Sequence, residues 1–256
     1  MTVGCIIQTR MGSTRLPGKV LLELKDGKVV LDYVINQLRF CETIDKIIIA
    51  TTTLTEDDKI AEFCSNNNIE CFRGDSENVL DRHYQCAKKY SLTTIIRMPS
   101  DKPLLDPKVV DNVVKVFNSG SYDYVTNFLP STTPGGTEVE VFSFNALEKS
   151  WNNAILPSEK EHVTSHIYNH KDEFRIFNVE NEIDLSKFRW VVDREEDYIL
   201  VKQIISKIDK EPILIKDILD LFEREPQLLD INAHIDREEG NLRSKIKDEK
   251  FLKKTK

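Results

Sequence analysis

The chain has 256 residues, 40% of them hydrophobic, enough for one large domain or two small ones with a real core. Its formal net charge of -7 argues against general nucleic-acid binding, so any anionic ligand must be held by a local cationic site. No run approaches the roughly 18 apolar residues of a membrane span, and no signal-peptide pattern opens the chain; a cytoplasmic protein with no membrane or nucleic-acid partner is expected.

Short apolar runs alternate with helical patterns through the first half. Val3 to Ile7 reads as a strand, Val29 to Arg39 as a helix, Asp45 to Ala50 as a second strand, and Glu56 to Asn66 as a helix with Thr55 as its N-cap. Ile69 to Phe72 and Thr94 to Met98 read as strands around a helix from Asn78 to Tyr90. Pro107 to Asn118 is a helix opened by proline. This alternation predicts an α/β fold with a mostly parallel sheet and helices on both faces. The second half is mixed. Tyr124 to Thr126, Thr137 to Ser143, Phe174 to Val179 and Phe188 to Val192 look like strands. Asn145 to Asn152, Ser158 to Asn169, Glu195 to Lys207 and Ile215 to Glu223 look helical. No linker or internal repeat appears, so one domain over residues 1–235 is expected, with a charged tail from 236 to 256 that frays. The five cysteines include no Cys-x-x-Cys pair, and buried reduced thiols are expected.

The first strand empties into Gln8-Thr-Arg-Met-Gly-Ser-Thr-Arg-Leu-Pro-Gly-Lys19. Arg10, Arg15 and Lys19 lie there among two glycines and three small hydroxyl residues. Small residues let the backbone approach a ligand and point its N–H groups at phosphate oxygens, and the cations supply matching charge. The spacing is neither that of a P-loop nor that of a dinucleotide fingerprint. The plainer alternative is a polar surface loop.

Asp101 follows the strand Thr94 to Met98, where a carboxylate faces the ligand crevice of an open α/β sheet; the alternative is an Asp that opens a turn before Pro103. Asp193 ends the run Phe188 to Val192, and its alternative is a helix N-cap. Together the two could hold Mg²⁺ through oxygen ligands and phosphate. Glu138 and Glu140 share one face of an alternating strand, which reads first as a solvated face. His162, His166 and His170 recur at helical spacing. With no second Glu-x-x-His and no nearby cysteine, a solvated or capping stripe is expected, not a metal site.

In combination these segments are similar to the cytidylyltransferase family that includes 3-deoxy-manno-octulosonate (KDO) cytidylyltransferase, and most to its spore coat polysaccharide biosynthesis branch. The resemblance is carried by the loop from Gln8 to Lys19, by Ile48-Ile-Ala-Thr-Thr52, by Arg73-Gly-Asp-Ser-Glu-Asn-Val-Leu-Asp-Arg82 and by Ser100-Asp-Lys-Pro-Leu-Leu-Asp-Pro107. Further on come Glu138-Val-Glu-Val-Phe142, Glu159-Lys-Glu-His-Val-Thr164 and Arg189-Trp-Val-Val-Asp193. It implies a Rossmann-like nucleotide-diphospho-sugar transferase fold and transfer of a nucleotidyl group, CMP from CTP, with release of pyrophosphate.

The acceptor implied is a small molecule such as a sugar acid, polyol or phosphonate in surface glycan biosynthesis, and the assembly implied is a homodimer. Carried over by position, Gln8, Arg10, Met11, Gly12, Ser13, Arg15, Lys19, Thr51, Arg73 and Ser100 would bind the nucleotide. Asp101 and Asp193 would hold Mg²⁺. Lys19, Arg15 and Asp101 would be catalytic, and Asp81, Arg82, Glu138, Glu140 and His162 would face the acceptor. Where the KDO enzymes carry Gln-Gly-Asp-Glu-Pro this chain has Pro99-Ser-Asp-Lys-Pro103, so the reading of cytosine falls to backbone groups. Two other classes stay open: a glycosyltransferase with a nucleotide-sugar donor, although Asp57-Asp58 starts a helix and no Asp-x-Asp closes a strand, and a catalytically silent nucleotide-binding protein.

Overall fold

The computed structural model describes residues 1–235 and 239–254. In chain order it contains β1 (Val3–Gln8), a small hairpin of β2 (Glu23–Lys25) and β3 (Lys28–Val29), α1 (Val30–Leu38), β4 (Lys46–Thr52), α2 (Asp58–Asn66) and β5 (Glu70–Gly74). Next come α3 (Val79–Lys89), β6 (Thr94–Pro99), α4 (Pro107–Ser119), β7 (Tyr124–Thr126), β8 (Glu140–Ser143), α5 (Phe144–Asn153), α6 (Pro157–Glu161), α7 (Ser165–Asn169) and β9 (Ile176–Asn178). The helices α8 (Glu195–Lys207), α9 (Ile215–Arg224) and α10 (Glu239–Lys254) follow.

Seven strands form one sheet in the order β5-β4-β1-β6-β8-β7-β9. β5, β4, β1 and β6 are parallel neighbours, β8 runs antiparallel to both β6 and β7, and β9 is parallel to β7. The α/β expectation holds, and its cause is the two-residue period of the strands. In β1, Cys5 and Ile7 pack with α1, α2 and α4 on one face, while Ile6 packs with α3, α5 and α7 on the other. A third apolar cluster joins Trp190 and Val192 to α8 and α9. All five cysteines are unpaired, with Cys5, Cys64 and Cys86 buried. Among the described residues no helix is long and apolar enough to cross a membrane.

The parallel strands place their carboxyl ends on one edge, with Gln8 level with Ala50 on one side and with Pro99 on the other. Because β8 is antiparallel, its amino end reaches that same edge, and Glu140 stands opposite Arg97.

Several local expectations need correcting. The segment 158–169 is two short helices, not one, and the break falls at Val163, whose φ of 49° a helix cannot contain. The strand expected from Thr137 begins at Glu140, and Phe188 to Val192 makes only an isolated bridge between Gly135 and Arg189. Thr55 opens a separate single 3-10 turn ahead of α2 and makes no side-chain cap. The tail expected to fray forms α10, which packs on α6. Lys247 pairs with Glu161 at 2.7 Å, and Asp248 accepts from the Ser158 amide at 3.0 Å. Residues 236–238 and 255–256 of that tail lie outside the described residues.

Candidate active site

The loop after β1 is built by its own backbone. Ser13 and Gly18 both donate their amides to the Met11 carbonyl, at 2.8 and 3.0 Å, folding 11–18 into a tight hook. Gly18 has φ 69°, a left-handed conformation that costs a side-chain residue energy, and it hands the chain into the 3-10 turn Lys19–Leu21. The Met11 amide donates to Asp57 at 2.7 Å, and the fully buried Asp57 also accepts from Thr52 Oγ1. The hook is thereby pinned to the end of β4.

Lys19, Arg15, Asp101 and Asp193 meet where the hook ends. The Lys19 ammonium lies 2.7 Å from Asp101 Oδ2 and 2.9 Å from Asp193 Oδ1, and Arg15 Nε lies 2.7 Å from Asp193 Oδ2. Burial opposes the charge on Lys19, but the two carboxylates outweigh it and raise its pKa. Burial likewise opposes ionisation of Asp193, and Lys19 and Arg15 more than offset it, holding the carboxyl below its ordinary value.

Asp101 does lie in a turn ahead of Pro103, and from that turn it lines the cleft, while Asp106 caps α4, accepting from the Lys108 amide at 2.8 Å. At α8 it is Asp197 that takes the Arg194 amide, at 3.0 Å, so Asp193 does not serve as the cap. Asp197 is fully buried. It also holds Arg189 through two bonds of 2.9 and 2.8 Å and accepts from Asn232 at 2.8 Å. The two aspartate loops are tied by a backbone bond from the Val192 amide to the Asp101 carbonyl, 2.8 Å. Two oxygen-donor carboxylates that already share one cation suit a hard divalent ion such as Mg²⁺.

A cleft of about 350 Å³ opens over this cluster. Of the residues singled out in the sequence, Gln8, Arg10, Ser13, Arg15, Lys19, Arg82, Ser100, Asp101, His162 and Asp193 line it. A second cavity of about 240 Å³ shares Arg15, Asp101 and Asp193 with the first and adds Glu138, Gly136 and Arg189. Six other expected site residues line neither cavity, each for a visible reason. Met11 packs on the core and Thr51 is fully buried. Gly12 is exposed on the outside of the hook, beside the Glu56 carboxylate. Arg73 is spent on the Thr52 and Leu54 carbonyls (2.8 and 2.9 Å) and on Asp58 at 2.6 Å. Asp81 accepts from the Trp151 indole at 2.8 Å and from Gln85 at 3.1 Å.

Glu140 is no solvated or acceptor-facing group. It is buried and accepts from Arg97, from Tyr124 Oη at 2.9 Å and from Thr164 Oγ1. Glu138 does face a cavity, but it too is paired, with Lys102 at 2.9 Å and the Gly136 amide at 2.9 Å. Burial works against its charge, and Lys102 lowers its pKa nonetheless.

Arg82 is 2% exposed. Its Nη1 donates to the Asp75 carbonyl at 3.0 Å, while Nε is buried without a partner. Burial, with the neighbouring charge of Arg10, pushes its pKa down to about 10. A cation in that position lowers its energy by meeting an anion.

The histidine stripe does not survive the break at Val163. His162 turns into the cleft, with its pKa lowered by burial and by Arg97. His166 is buried against Glu159 at 3.1 Å, not solvated. Glu159, His166 and His170 bring potential metal-ligand atoms within 4.8 Å of one another. Glu159 is committed there to the Ile155 and Leu156 amides, at 2.9 and 3.0 Å, and to His166.

Arg97 and Lys102 were missed from the sequence. Arg97 lines the cleft and donates to Gln8 Oε1 at 3.0 Å. Its signal was a lone cation inside the apolar run Thr94 to Met98, which a buried strand carries only with a partner.

Comparisons with known proteins give the family. A family profile described as Cytidylyltransferase matches residues 4–233. The spore coat polysaccharide biosynthesis protein SpsF of Bacillus subtilis is 34% identical over 216 residues, 81% of this chain and 88% of that protein. A solved cytidylyltransferase of Leptospira borgpetersenii is 33% identical with a TM-score of 0.86, covering 93% of this chain and 100% of that one. A CMP:2-keto-3-deoxy-manno-octonic acid synthetase, solved in complex with CTP, shares the fold with a TM-score of 0.60 at 15% identity, over 81% of this chain and 99% of that one. With the cationic hook and the aspartate pair falling inside the matched span, this chain belongs to the cytidylyltransferase family and is a nucleotidyltransferase.

Proposed function

We propose that the chain transfers CMP from CTP to a small hydroxylated or anionic acceptor and releases pyrophosphate. The observation that carries this reading is the meeting of Lys19 and Arg15 with Asp101 and Asp193 at the junction of two cavities. The larger cleft, with Arg10, Ser13 and the backbone of the hook on its wall, suits the triphosphate. The smaller cavity, walled by Glu138 and Arg189, suits the acceptor. Arg15, Asp101 and Asp193, which both cavities share, would then border the point where an acceptor oxygen meets the α-phosphorus, opposite the leaving pyrophosphate.

Charge develops on the leaving pyrophosphate, and Lys19, Arg15 and Arg10 are the groups that meet it. Asp101 and Asp193 would hold Mg²⁺, which supplies charge neutralisation at the phosphates. Glu138, kept ionised by Lys102, accepts a hydrogen bond from an acceptor hydroxyl. Arg189, fixed by Asp197, presents its remaining donor edge to an acceptor oxyanion. The kinship with a spore coat polysaccharide protein supports a glycan precursor as acceptor.

The test is incubation with each of CTP, UTP, GTP and ATP, Mg²⁺ and panels of sugar acids, polyols and phosphonates, with pyrophosphate detection. Pyrophosphate release with CTP and one acceptor class is expected. Release with a purine nucleotide but not with CTP would overturn the base assignment. Absence of release with every nucleotide and acceptor would overturn the transferase reading. A thermal-shift screen of the four nucleotides reads base preference independently of the acceptor.

A further inference from the structure

The Lys19 ammonium occupies the position between the two carboxylates that a metal ion would use. It contacts Asp101 Oδ2 at 2.7 Å and Asp193 Oδ1 at 2.9 Å, while Arg15 holds the other oxygen of Asp193. Two carboxylates brought together without a cation repel one another, and the ammonium between them offsets that repulsion and holds them aligned. A divalent cation and the ammonium compete for the same lone pairs, and their like charges oppose joint occupancy at close range.

The backbone that carries these groups is tied down. The aspartate loops are joined through Val192 and Asp101, and the Lys19 backbone is fixed by the Leu16 carbonyl at 3.2 Å. The side chain itself is a flexible four-carbon arm with three donors, and it lines the cleft in which phosphate oxygens would lie.

We propose that Lys19 is the resident counter-ion of the aspartate pair and changes partners when nucleotide binds, leaving the carboxylates to the metal and taking the phosphates instead. The proposal rests on the triphosphate and metal reading given above. It makes metal and nucleotide binding mutually reinforcing. Nucleotide draws Lys19 off the carboxylates, metal drives it toward the phosphates, and linkage requires the two effects to be equal. Free metal alone meets a site already filled. Lys19 thus acts as a positioning residue for the carboxylates before it acts on the phosphates.

The experiment is titration of the full chain with Mn²⁺ alone, followed by electron paramagnetic resonance, with no nucleotide present. Lys19→Met, close to the lysine in length, and Lys19→Ala are compared with wild type, and Lys19→Arg serves as the variant that keeps a cation. The expected result is Mn²⁺ affinity at least tenfold tighter in Lys19→Met and Lys19→Ala, little changed in Lys19→Arg, and lost when Asp101→Asn is added to Lys19→Met. Equal or weaker Mn²⁺ binding in both neutral variants overturns the exchange, as does tight binding that survives Asp101→Asn. If wild type with CTP binds Mn²⁺ while the neutral variants gain nothing alone, the exchange falls and the transferase reading stands. If neither wild type with CTP nor the neutral variants bind Mn²⁺, the metal reading falls as well.

Discussion

Replacing Glu140 by alanine separates a structural role from a substrate-binding one. The carboxylate is buried, and Arg97, Tyr124 and Thr164 all donate to it. Its removal leaves the Arg97 guanidinium, whose side chain is 12% exposed, without its carboxylate. Breaking a buried pair by deleting one partner costs about 3–5 kcal/mol. In a chain of this size each kcal/mol lowers the melting temperature by about 2–4 °C. The expected fall is therefore roughly 6–20 °C, read by differential scanning calorimetry. Glu140→Gln keeps the shape and some hydrogen bonds, and falls between wild type and Glu140→Ala. A double-mutant cycle with Arg97→Met shows a coupling of about 1–3 kcal/mol if the two residues act as a pair. A melting temperature within about 2 °C of wild type, together with an acceptor KM raised more than tenfold, refutes the reasoning and returns Glu140 to the substrate.

Lys19→Ala, with circular dichroism as the folding control, lowers pyrophosphate release by more than tenfold, about 1.4 kcal/mol of barrier; a smaller loss removes Lys19 from the leaving-group role. Gly136 has φ 105°, and a Cβ there would lie 3.1 Å from the Trp190 carbonyl and the Val191 nitrogen, which are backbone atoms unable to swing away. Gly136→Ala costs about 1–3 kcal/mol in urea denaturation, and an unchanged midpoint contradicts that crowding. Asp193 titrates below its ordinary 3.8 in the folded chain, so as pH falls the unfolded chain takes up the proton first. The stability this gives is complete above about pH 5 and is lost as pH falls through the folded-state value. The difference in melting temperature between wild type and Asp193→Asn therefore narrows from pH 6 to pH 3, and a constant difference contradicts the ion-pair geometry. His83, buried and neutral with its pKa pushed down to about 3, adds a loss of the same sign. Below its ordinary 6.5 the unfolded chain gains a proton that the folded chain refuses, so His83→Asn melts with a flatter pH profile between pH 7 and 4.

The parts of the fold legible in the sequence are those in which one short-range pattern decides the outcome. Tyr124 to Thr126 and Glu195 to Lys207 fall where the strand and helix periods place them, and α4 begins at Pro107 as expected. The break at Val163 was hidden, because the spacing of His162, His166 and His170 fits a helix across it, while Thr164 is drawn instead to a partner 24 residues away, Glu140. Phe188 to Val192 has a strand's composition but pairs only through the loop at Gly135, a contact no local pattern reveals.

The same division holds at the site. Lys19 and Arg15 were readable from the cation- and glycine-rich loop after β1, Asp101 and Asp193 from the ends of apolar runs, and the structure brings the four together. Glu140 and Arg73 are charged as well. What set them apart was a partner: Arg97 across the sheet, and the carbonyls after β4. Arg97 and Glu140 complete each other in register, so reading Glu140 without Arg97 put it on the wrong surface.

The bond between Lys19 and Asp193 spans 174 positions of the chain. The hook is translated well before its last partner, with α8 and the buried anchor Asp197 following that partner. A growing chain that already holds β1, β4, β5 and β6 can pair its central strands, yet its lysine has only Asp101 to meet. The ion-pair cluster is thus completed only after the chain around Asp193 has emerged and folded back onto the hook.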